Sequence, residues 1–269
     1  MIDDLATAVT GLLELLETLH PGWFALLALA ENVVLVGLGA LLGHGALRLP
    51  GARRLTPDPG PVSTLELALV AGTTVLNTVI TVAGWWLWKA DVIVLRTDLG
   101  LGSIAELAVL VMVMDVLMYA GHATVHLRAL FPWVHRLHHV FADARPITLF
   151  ALHPLEAIGF GAMWLLVLAA HPFSIWALAA YTVLNLVFGI LGHLGVEPLP
   201  PPVRRNAVFR WVATPTMHVG HHADPRYNLG FYTTVWDRLF GTLEPGYDVR
   251  RTALTPEPYR SEPRQSPTR

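Results

Sequence analysis

Long apolar runs constrain the fold of this chain more than any other feature of its sequence. A helix needs about 20 apolar residues to cross a bilayer, and runs of that order lie at 22–43, 64–88 and 103–121. A fourth apolar stretch, 155–191, is divided by a His-Pro pair at 171–172 into halves that are short for a span. This stretch could form either two short spans or a re-entrant hairpin. Either arrangement returns the chain to the side of the membrane from which the stretch began.

Composition and charge agree with a membrane protein. Charged residues make up 14% of the chain, against about 25% in a typical soluble domain, and the mean hydropathy is +0.50. The net charge of −2 gives no reason to expect nucleic-acid binding. We therefore predict an all-α integral membrane protein with about four to five membrane-embedded helices. Residues 5–19, where Glu14 and Glu17 interrupt apolar positions, predict a short interfacial helix.

The basic residues predict which segments share one side of the membrane. If 22–43 exits on the side of the histidine-rich segments, then 44–63, 122–154 and 193–269 lie together and hold sixteen of the eighteen Lys and Arg residues. The positive-inside rule places that side in the cytoplasm. We therefore expect a protein of the cell (inner) membrane with a cytoplasmic, histidine-rich helical cap.

Composition also divides the chain into three parts. Residues 1–104 hold the N-terminal membrane helices and a Pro- and Gly-rich linker, and residues 105–243 hold the histidine motifs. Residues 244–269 are rich in Pro and Arg and are expected to be disordered.

Histidine is abundant in this chain, whereas cysteine is absent. Thirteen histidines and no cysteine exclude disulfides, thiolate zinc sites and cysteine-bound iron–sulfur clusters. Any metal ion would therefore be held by imidazole and carboxylate groups.

The first histidine cluster lies on one stripe of a predicted helix. Asp115, Tyr119, His122 and His126 follow one another at intervals of four, three and four residues, so they share a helix face. Two imidazoles one turn apart can bind one metal ion. We expect Asp115 and Tyr119 to hydrogen-bond the second ring nitrogens of these histidines.

Two further clusters share the spacing His-x2-His-His. They are His135, His138 and His139, eight residues after the first cluster, and His218, His221 and His222, after another 78 residues. On a helix each triplet shares a face, and the apolar stretch between them would bring the second triplet back beside the first. Roughly three chains in a hundred of this histidine content hold one such triplet by chance, so two triplets indicate a metal site.

Two single histidines are further candidates. His193 stands at the end of the last apolar stretch, where the chain returns to the clusters, and we count it as a ninth ligand. His153 opens that stretch, and metal binding and capping of the following helix are both open for it.

Nine imidazoles suit two metal ions, since one zinc ion takes three or four ligands. Imidazole binds iron, zinc, copper or nickel, so ligand type alone does not select the metal. A site at the membrane surface meets substrates dissolved in lipid, and breaking an unactivated C–H bond there requires an oxidant such as iron with O2. We therefore predict two iron ions, which zinc can replace, with O2 as co-substrate.

These clusters resemble the fatty acid hydroxylase superfamily, which includes sterol desaturases. Besides the histidines, the resemblance rests on Asp115 and Tyr119, on His153-Pro154-Leu155-Glu156, on Asn228, and on Trp236-Asp237-Arg238-Leu239-Phe240-Gly241-Thr242. It covers about residues 105–243 and implies a catalytic region there, with a non-haem di-iron centre, O2 as oxidant and a separate electron donor.

The resemblance also implies which residues surround the ligands. They are Asp115, Tyr119, Glu156, Glu197 and Asn228. Members of the superfamily often carry a second histidine shortly after the one that matches His193. Here the chain reads His193-Leu-Gly-Val-Glu197, so either Glu197 replaces that ligand or the ligand is missing.

Together these observations predict O2-dependent hydroxylation or desaturation of a membrane lipid, such as an acyl chain or a sterol. The sequence has no dinucleotide fingerprint and no recognisable haem domain, so a ferredoxin or cytochrome b5-like donor with its reductase would supply electrons. Basic residues in the predicted cytoplasmic segments would attract an acidic donor. They are Arg136, Arg145, Arg204, Arg205 and Arg210.

Other functions stay open at this point. A membrane zinc hydrolase would use the same histidines with Glu156 as general base. A membrane cytochrome would place haem ligands within the apolar spans, and a transporter would use an ionisable group at mid-span such as Glu31. The residue types do not separate hydroxylation from desaturation.

Overall fold

The computed structural model of the protein describes residues 2–253 and residue 259. These residues form helices that are joined by irregular segments, with two very short strands. In chain order the helices are α1 (Ile2–Thr18), α2 (Pro21–Leu47), α3 (Thr64–Lys89), α4 (Leu101–Val125), α5 (Phe131–Val134), α6 (Pro154–Ala170), α7 (Ile175–Gly192), α8 (Pro201–Arg205), α9 (Pro215–Ala223), α10 (Val235–Phe240) and α11 (Tyr247–Thr252). The strands are β1 (Arg53–Arg54) and β2 (Val196–Glu197), and short 3-10 helices lie at His138–Phe141, Pro146–Phe150 and Phe209–Trp211.

Four helices, α2, α3, α4 and α7, are long and apolar enough to cross a membrane. The fifth apolar helix, α6, is shorter. The prediction of an all-α membrane protein with four to five embedded helices is confirmed. Each of the three predicted spans 22–43, 64–88 and 103–121 is found, and its ends are reproduced within four residues. The predicted N-terminal helix is present as α1.

The apolar stretch 155–191 forms two helices, α6 and α7, joined by a short turn. Backbone hydrogen bonds link Arg96, in the connection between α3 and α4, to Phe173 and Ile175 beside this turn. The α6–α7 turn therefore reaches the same end of the bundle as the α3–α4 connection. This contact supports two short spans and argues against a hairpin that turns back midway.

The other end of the bundle gathers the linker after α2 and the histidine-rich segments. Strand β1 pairs antiparallel with β2, with Arg53 opposite Glu197. The Arg145 guanidinium donates to the carbonyl oxygens of Pro59 and Gly60 at 2.7 and 2.9 Å. Segments at least 85 residues apart in the chain are thereby fixed together at this end, as the grouping of basic segments had predicted.

Small residues allow the membrane helices to pack closely against their neighbours. Gly43 of α2 faces the ring of Pro146, and Gly161 of α6 faces Ile80 of α3. A Cβ at either glycine would overlap its neighbour. The main apolar core lies where α4, α6 and α7 meet.

The prediction that 244–269 is disordered is wrong over residues 247–252. These residues form α11, in which Tyr247 is fully buried and Arg251 is nearly so. The Arg251 and Arg204 guanidiniums each donate to the other residue's carbonyl oxygen, and this exchange holds α11 against α8. Arginine thus satisfies buried carbonyls here, a use that composition alone does not reveal. Residues 254–258 and 260–269 lie outside the described residues.

Candidate metal centre

Nine histidines converge at the histidine-rich end of the bundle in two groups. The first group is His122, His126, His135, His139 and His221, and the second is His138, His193, His218 and His222. Within each group, one nitrogen from every ring lies within 4.8 Å of the others. The structure therefore brings together all nine histidines that the sequence singled out.

Several separate elements deliver these side chains. Helix α4 carries His122 and ends at Val125, and His126 caps it, while the short α9 carries the last triplet. The expectation that His135, His138 and His139 share one helix is wrong, because α5 ends at Val134 and a 3-10 helix begins at His138.

Adjacent histidines of each triplet serve different groups. His139 belongs to the first group and His138 to the second, and His221 and His222 divide in the same way. The first pair lies on a 3-10 turn, in which the His138 N–H donates to the His135 carbonyl, and the second pair lies on α9, so adjacent side chains point apart in both geometries.

Backbone carbonyls fix the protonation of three of the imidazoles. In each, Nδ1 lies 2.8 Å from a carbonyl oxygen: His122 from Leu229, His193 from Gly189 and His221 from Tyr227. A carbonyl oxygen only accepts hydrogen bonds, so each Nδ1 carries the hydrogen and each Nε2 keeps its lone pair.

The buried carboxylate of Glu156 orients a fourth imidazole. Its Oε1 lies 2.7 Å from Nδ1 of His135, and both side chains are buried. A carboxylate that accepts from the second ring nitrogen fixes the tautomer and makes the other nitrogen a better metal ligand. This contact is the carboxylate–histidine arrangement found behind many metal sites.

The Nε2 atoms face one another at distances too short for two free lone pairs. His122 and His135, whose Nδ1 atoms are both engaged, bring their Nε2 atoms to 3.0 Å. In the second group the Nε2 atoms of His193 and His218 are 3.2 Å apart. Two lone pairs repel at such distances unless a cation lies between them.

Burial makes a proton a poor candidate for that cation. Burial, and then the positive charge of a protonated His122, lower the pKa of His126 to about 3. Burial also lowers the pKa of His193 to about 4, against the opposing effect of the Gly189 carbonyl. The imidazoles are therefore neutral near pH 7, and neutral imidazole is a ligand for divalent transition metals.

The expectation that Asp115 and Tyr119 bond ring nitrogens is wrong. Asp115 accepts hydrogen bonds from the backbone of Tyr232, from the backbone and hydroxyl of Thr233 and from the Trp236 indole. The Tyr119 hydroxyl lies 3.0 Å from that of Thr242. Both residues lie on the predicted stripe of α4, but the segment 229–242 packs against it and takes their hydrogen bonds.

This segment matters because it supplies the carbonyl that fixes His122. The buried Asp237 accepts from the N–H groups of Leu229 and Gly230 at 2.8 and 2.7 Å and so shapes the turn. Sequence reasoning missed the carbonyls of Tyr227 and Leu229 altogether. No residue type signals them, since every residue has a backbone carbonyl.

The remaining predicted residues lie beside the two groups without joining them. Of the two alternatives for Glu197, ligand replacement is wrong: its buried carboxylate accepts from the Thr216 hydroxyl at 2.8 Å and holds the first turn of α9. His153 caps α6, its Nδ1 accepting from the Leu155 N–H at 3.2 Å, and belongs to neither group.

Asn228 stabilises the end of α9. Within the described residues, its side chain makes no hydrogen bond to an imidazole. Its side chain is fully buried, donates to the Met217 carbonyl at 3.1 Å and accepts from the Glu244 N–H at 2.9 Å. Its φ of +57° lies in the left-handed region, which asparagine tolerates better than most residues. It thereby fixes the turn that follows the last histidine triplet.

Two cavities reach the histidines. An apolar cavity of about 410 Å³ opens between the membrane helices α2, α3, α4, α6 and α7. Its wall includes His122, His135, His138, His193 and His218. A second cavity of about 490 Å³ reaches His139 and His222 and is lined in part by Glu66, Asp143 and Arg145. The centre therefore meets an apolar space on one side and a more polar space on another.

The sequence model of the fatty acid hydroxylase family matches residues 107–242, a region that contains both histidine groups. The chain belongs to the fatty acid hydroxylase family.

Curated relatives in this family include enzymes named for sterol oxidation. The chain is 27% identical over 134 residues to Delta(7)-sterol 5(6)-desaturase of Leptosphaeria maculans, which covers 50% of this chain and 35% of that protein. It is 29% identical over 136 residues to lathosterol oxidase of Rattus norvegicus, covering 48% and 42%. It is 29% identical over 132 residues to methylsterol monooxygenase 1 of Danio rerio, covering 48% and 43%. The matched regions thus span less than half of each relative's length.

No solved structure gives a significant match to the chain. The family match begins at residue 107, so α2 and α3, which form one wall of the apolar cavity, lie outside it. Both histidine groups therefore lie in the family region, whereas part of the cavity is built from residues that precede it.

Proposed function

We propose that this protein is an oxidoreductase that uses O2 to hydroxylate or desaturate a membrane lipid at a histidine-held pair of iron ions, with 105–243 as its catalytic region. The observation that carries the proposal is the short approach of lone-pair-bearing Nε2 atoms, 3.0 Å between His122 and His135, at the wall of an apolar cavity. Such an arrangement fits metal ions that act on a substrate dissolved in lipid.

The first histidine group would hold one ion and the second group the other. Imidazole alone does not distinguish iron from zinc, but the family and the apolar cavity support iron. When bound, iron supplies the oxygen chemistry needed to break an unactivated C–H bond.

The chain's own residues would orient the ligands and exclude water. Glu156 and the backbone carbonyls keep Nδ1 protonated in four histidines, so that Nε2 points at the metal position. Met114, Met118, Phe160 and Trp164 line the cavity and would hold an apolar chain against the centre. The dry wall favours lipid over water at the reacting position.

Hydroxylation of a C–H bond by O2 consumes a pair of electrons and two protons and releases one water. We propose that a ferredoxin or cytochrome b5-like protein, with its reductase, delivers the electrons at the histidine-rich end. Arg136 and Arg205 are exposed there and suit an acidic partner. Arg204, which the sequence suggested for the same task, is buried and donates to backbone carbonyls, so it takes no part in docking.

We also propose that the histidine-rich end faces the cytoplasm of a cell (inner) membrane, following the distribution of Arg and Lys. Single cysteines at Ala142 and Val92, at opposite ends of the bundle, test this in a chain that has no cysteine of its own. In intact cells a membrane-impermeant thiol reagent should label the Val92→Cys protein and spare the Ala142→Cys protein. The reverse pattern would contradict the orientation.

The test of the function is oxygen-dependent turnover by purified protein. Protein prepared without O2 and with iron should consume O2 and a reductant in the presence of membrane lipids, and a hydroxylated product should contain 18O from labelled O2 gas. Lipid turnover that needs neither O2 nor reductant would instead favour the zinc hydrolase. The Glu156 contact argues against that alternative, since the proposed general base is already bonded to His135.

A further inference from the structure

The membrane half of the apolar cavity contains polar side chains that the proposed oxidation does not use. Asn32 of α2 and Thr73 and Asn77 of α3 all line the cavity, with Glu31 beside them. Asn77 stands at the middle of α3, far from the ends where polar groups meet water. Polar residues inside a bilayer are costly unless they have partners, and they commonly mark binding sites.

The Thr73 hydroxyl is the exception among its neighbours. Thr74, Thr78 and Thr81 each donate to a carbonyl one turn earlier in α3, at 2.8, 2.9 and 3.0 Å. Thr73 is buried, with 3% of its surface exposed, and its hydroxyl has no hydrogen-bond partner among the described residues. An unpaired buried hydroxyl is unfavourable, so a group that enters the cavity is its natural partner.

Asn32 and Asn77 lie at the same level of two adjacent helices, and both line the cavity. The rings of Phe24 and Trp85 stack at 4.5 Å and fix the register of the antiparallel pair α2 and α3. Asn32 lies eight residues after Phe24 in α2, and Asn77 lies eight residues before Trp85 in α3. Thr73 is one turn from Asn77 and therefore shares its face.

The amides offer free donors and acceptors in this cluster. Asn32 donates from Nδ2 to the Ala28 carbonyl at 2.9 Å, which leaves its Oδ1 as a buried acceptor. The Asn77 side-chain amide makes no hydrogen bond within the described part of the chain. Together with the Thr73 hydroxyl, these groups can both donate to and accept from one small polar group.

We propose that Asn32, Thr73 and Asn77 form a hydroxyl-binding subsite in the middle of the membrane, which selects a neutral lipid alcohol as the substrate. This inference rests on the proposed function, since the alcohol oxygen would anchor one end of the molecule while a distant carbon meets the histidines.

The charges around the cavity support a neutral ligand. Among the described residues that line it, none is Lys or Arg, and the acidic ones are Glu31 and Glu156, of which Glu156 is bonded to His135. A fatty-acid carboxylate or a phosphate held by Asn32, Thr73 and Asn77 would therefore find no basic side chain beside it, since the proposed metal ions lie at the histidine wall of the cavity. A hydroxyl needs only the donors and acceptors already present, and a site built for a hydroxyl discriminates strongly against the analogue that lacks it.

Binding measured without turnover tests the subsite. Full-length, metal-loaded protein in nanodiscs would be titrated with tritiated hexadecan-1-ol against hexadecane, and with cholesterol against cholestane, to compare each alcohol with its own hydrocarbon. We expect at least one alcohol to bind about tenfold more tightly than its hydrocarbon. Palmitate and hexadecylamine should bind no better than the hydrocarbon.

Variants of two threonines in the same helix sharpen the test. Thr73→Val should abolish the preference for the alcohol, and Thr73→Ser should keep it, because serine retains the hydroxyl. Thr78→Val is the matched control: its hydroxyl donates to Thr74 within α3 and it does not line the cavity. The control should bind like the original protein.

Equal binding of alcohol and hydrocarbon, tighter binding of palmitate or the amine, or an equal loss in Thr78→Val would each overturn the subsite. These results leave the oxygenase proposal standing if lipid is still oxidised. Conversely, an alcohol preference in a protein that oxidises nothing would preserve the subsite and remove the oxygenase.

Discussion

The two histidine groups are built from the same residue type but are held differently. The group of five is braced from outside its own helices: the Leu229 and Tyr227 carbonyls and the Glu156 carboxylate engage three of its Nδ1 atoms. In the group of four, His193 donates to Gly189 of its own helix, and His222 Nδ1 is buried with no hydrogen-bond partner among the described residues. The first group is therefore the more rigid and should bind its metal ion more tightly.

Removal of one ligand from each group should have the largest effect. His221→Ala should lower the metal content from two ions per chain to one by emptying the first group, and His138→Ala should do the same for the second. Activity should disappear in both, because the proposed chemistry needs both ions. Elemental analysis and O2 consumption measure these outcomes. Full activity in either variant would show that its group is not part of the centre.

Replacement of the bracing carboxylate should erase the difference between the groups. Glu156→Gln keeps the size of the side chain but removes the charge behind His135, which should weaken metal binding in the first group by about tenfold to hundredfold. Release of metal to a chelator should then be similar for both groups, whereas the original protein should release its second-group ion first. An unchanged two-step release would mean that Glu156 does not set the difference.

Loosening the segment that carries Leu229 should have a smaller effect on the same group. In Asp115→Asn, an NH2 group would face donors from Tyr232, Thr233 and Trp236 and disturb the turn that positions the Leu229 carbonyl. We expect first-group metal affinity to fall by about tenfold while second-group affinity holds. Equal weakening of both groups would indicate general unfolding, which circular dichroism would detect.

The smallest effect belongs to His153, which joins neither group. His153→Ala should retain two metal ions and activity and lose only the cap of α6, worth about 1 kcal/mol. Metal analysis and thermal unfolding report the two quantities separately. Loss of a metal ion in this variant would show that His153 is a metal ligand.

The features that could be predicted from the sequence are those set by a residue pattern within a single helix. Apolar runs fix the membrane helices because the bilayer demands their length. The spacing of His122 and His126 holds because His122 lies in the last turn of α4 and His126 caps that helix. Asp115 and Tyr119 follow the same stripe, yet their partners lie more than a hundred residues later in the chain. A pattern within one helix does not show what will pack against it.

The other differences have the same origin in long-range contact. Arg204 looks like a surface charge in sequence, but the carbonyls of Arg251 and Ala253 draw it into the interior. The carbonyls that orient the histidines come from turns whose residue types carry no metal-binding signal. Only the assembled structure relates these turns to the centre.

The pairing of β1 with β2 has a consequence for how the protein is made. Arg53 leaves the ribosome well over a hundred residues before its partner Glu197, which at typical synthesis rates is a wait on the order of ten seconds. During that interval the backbone N–H and C=O groups of β1 lack their partners in β2. The last histidine triplet, which contributes to both histidine groups, emerges only afterwards. Capture of the two proposed metal ions would therefore be a late event in biogenesis, after all four long apolar helices have been synthesised.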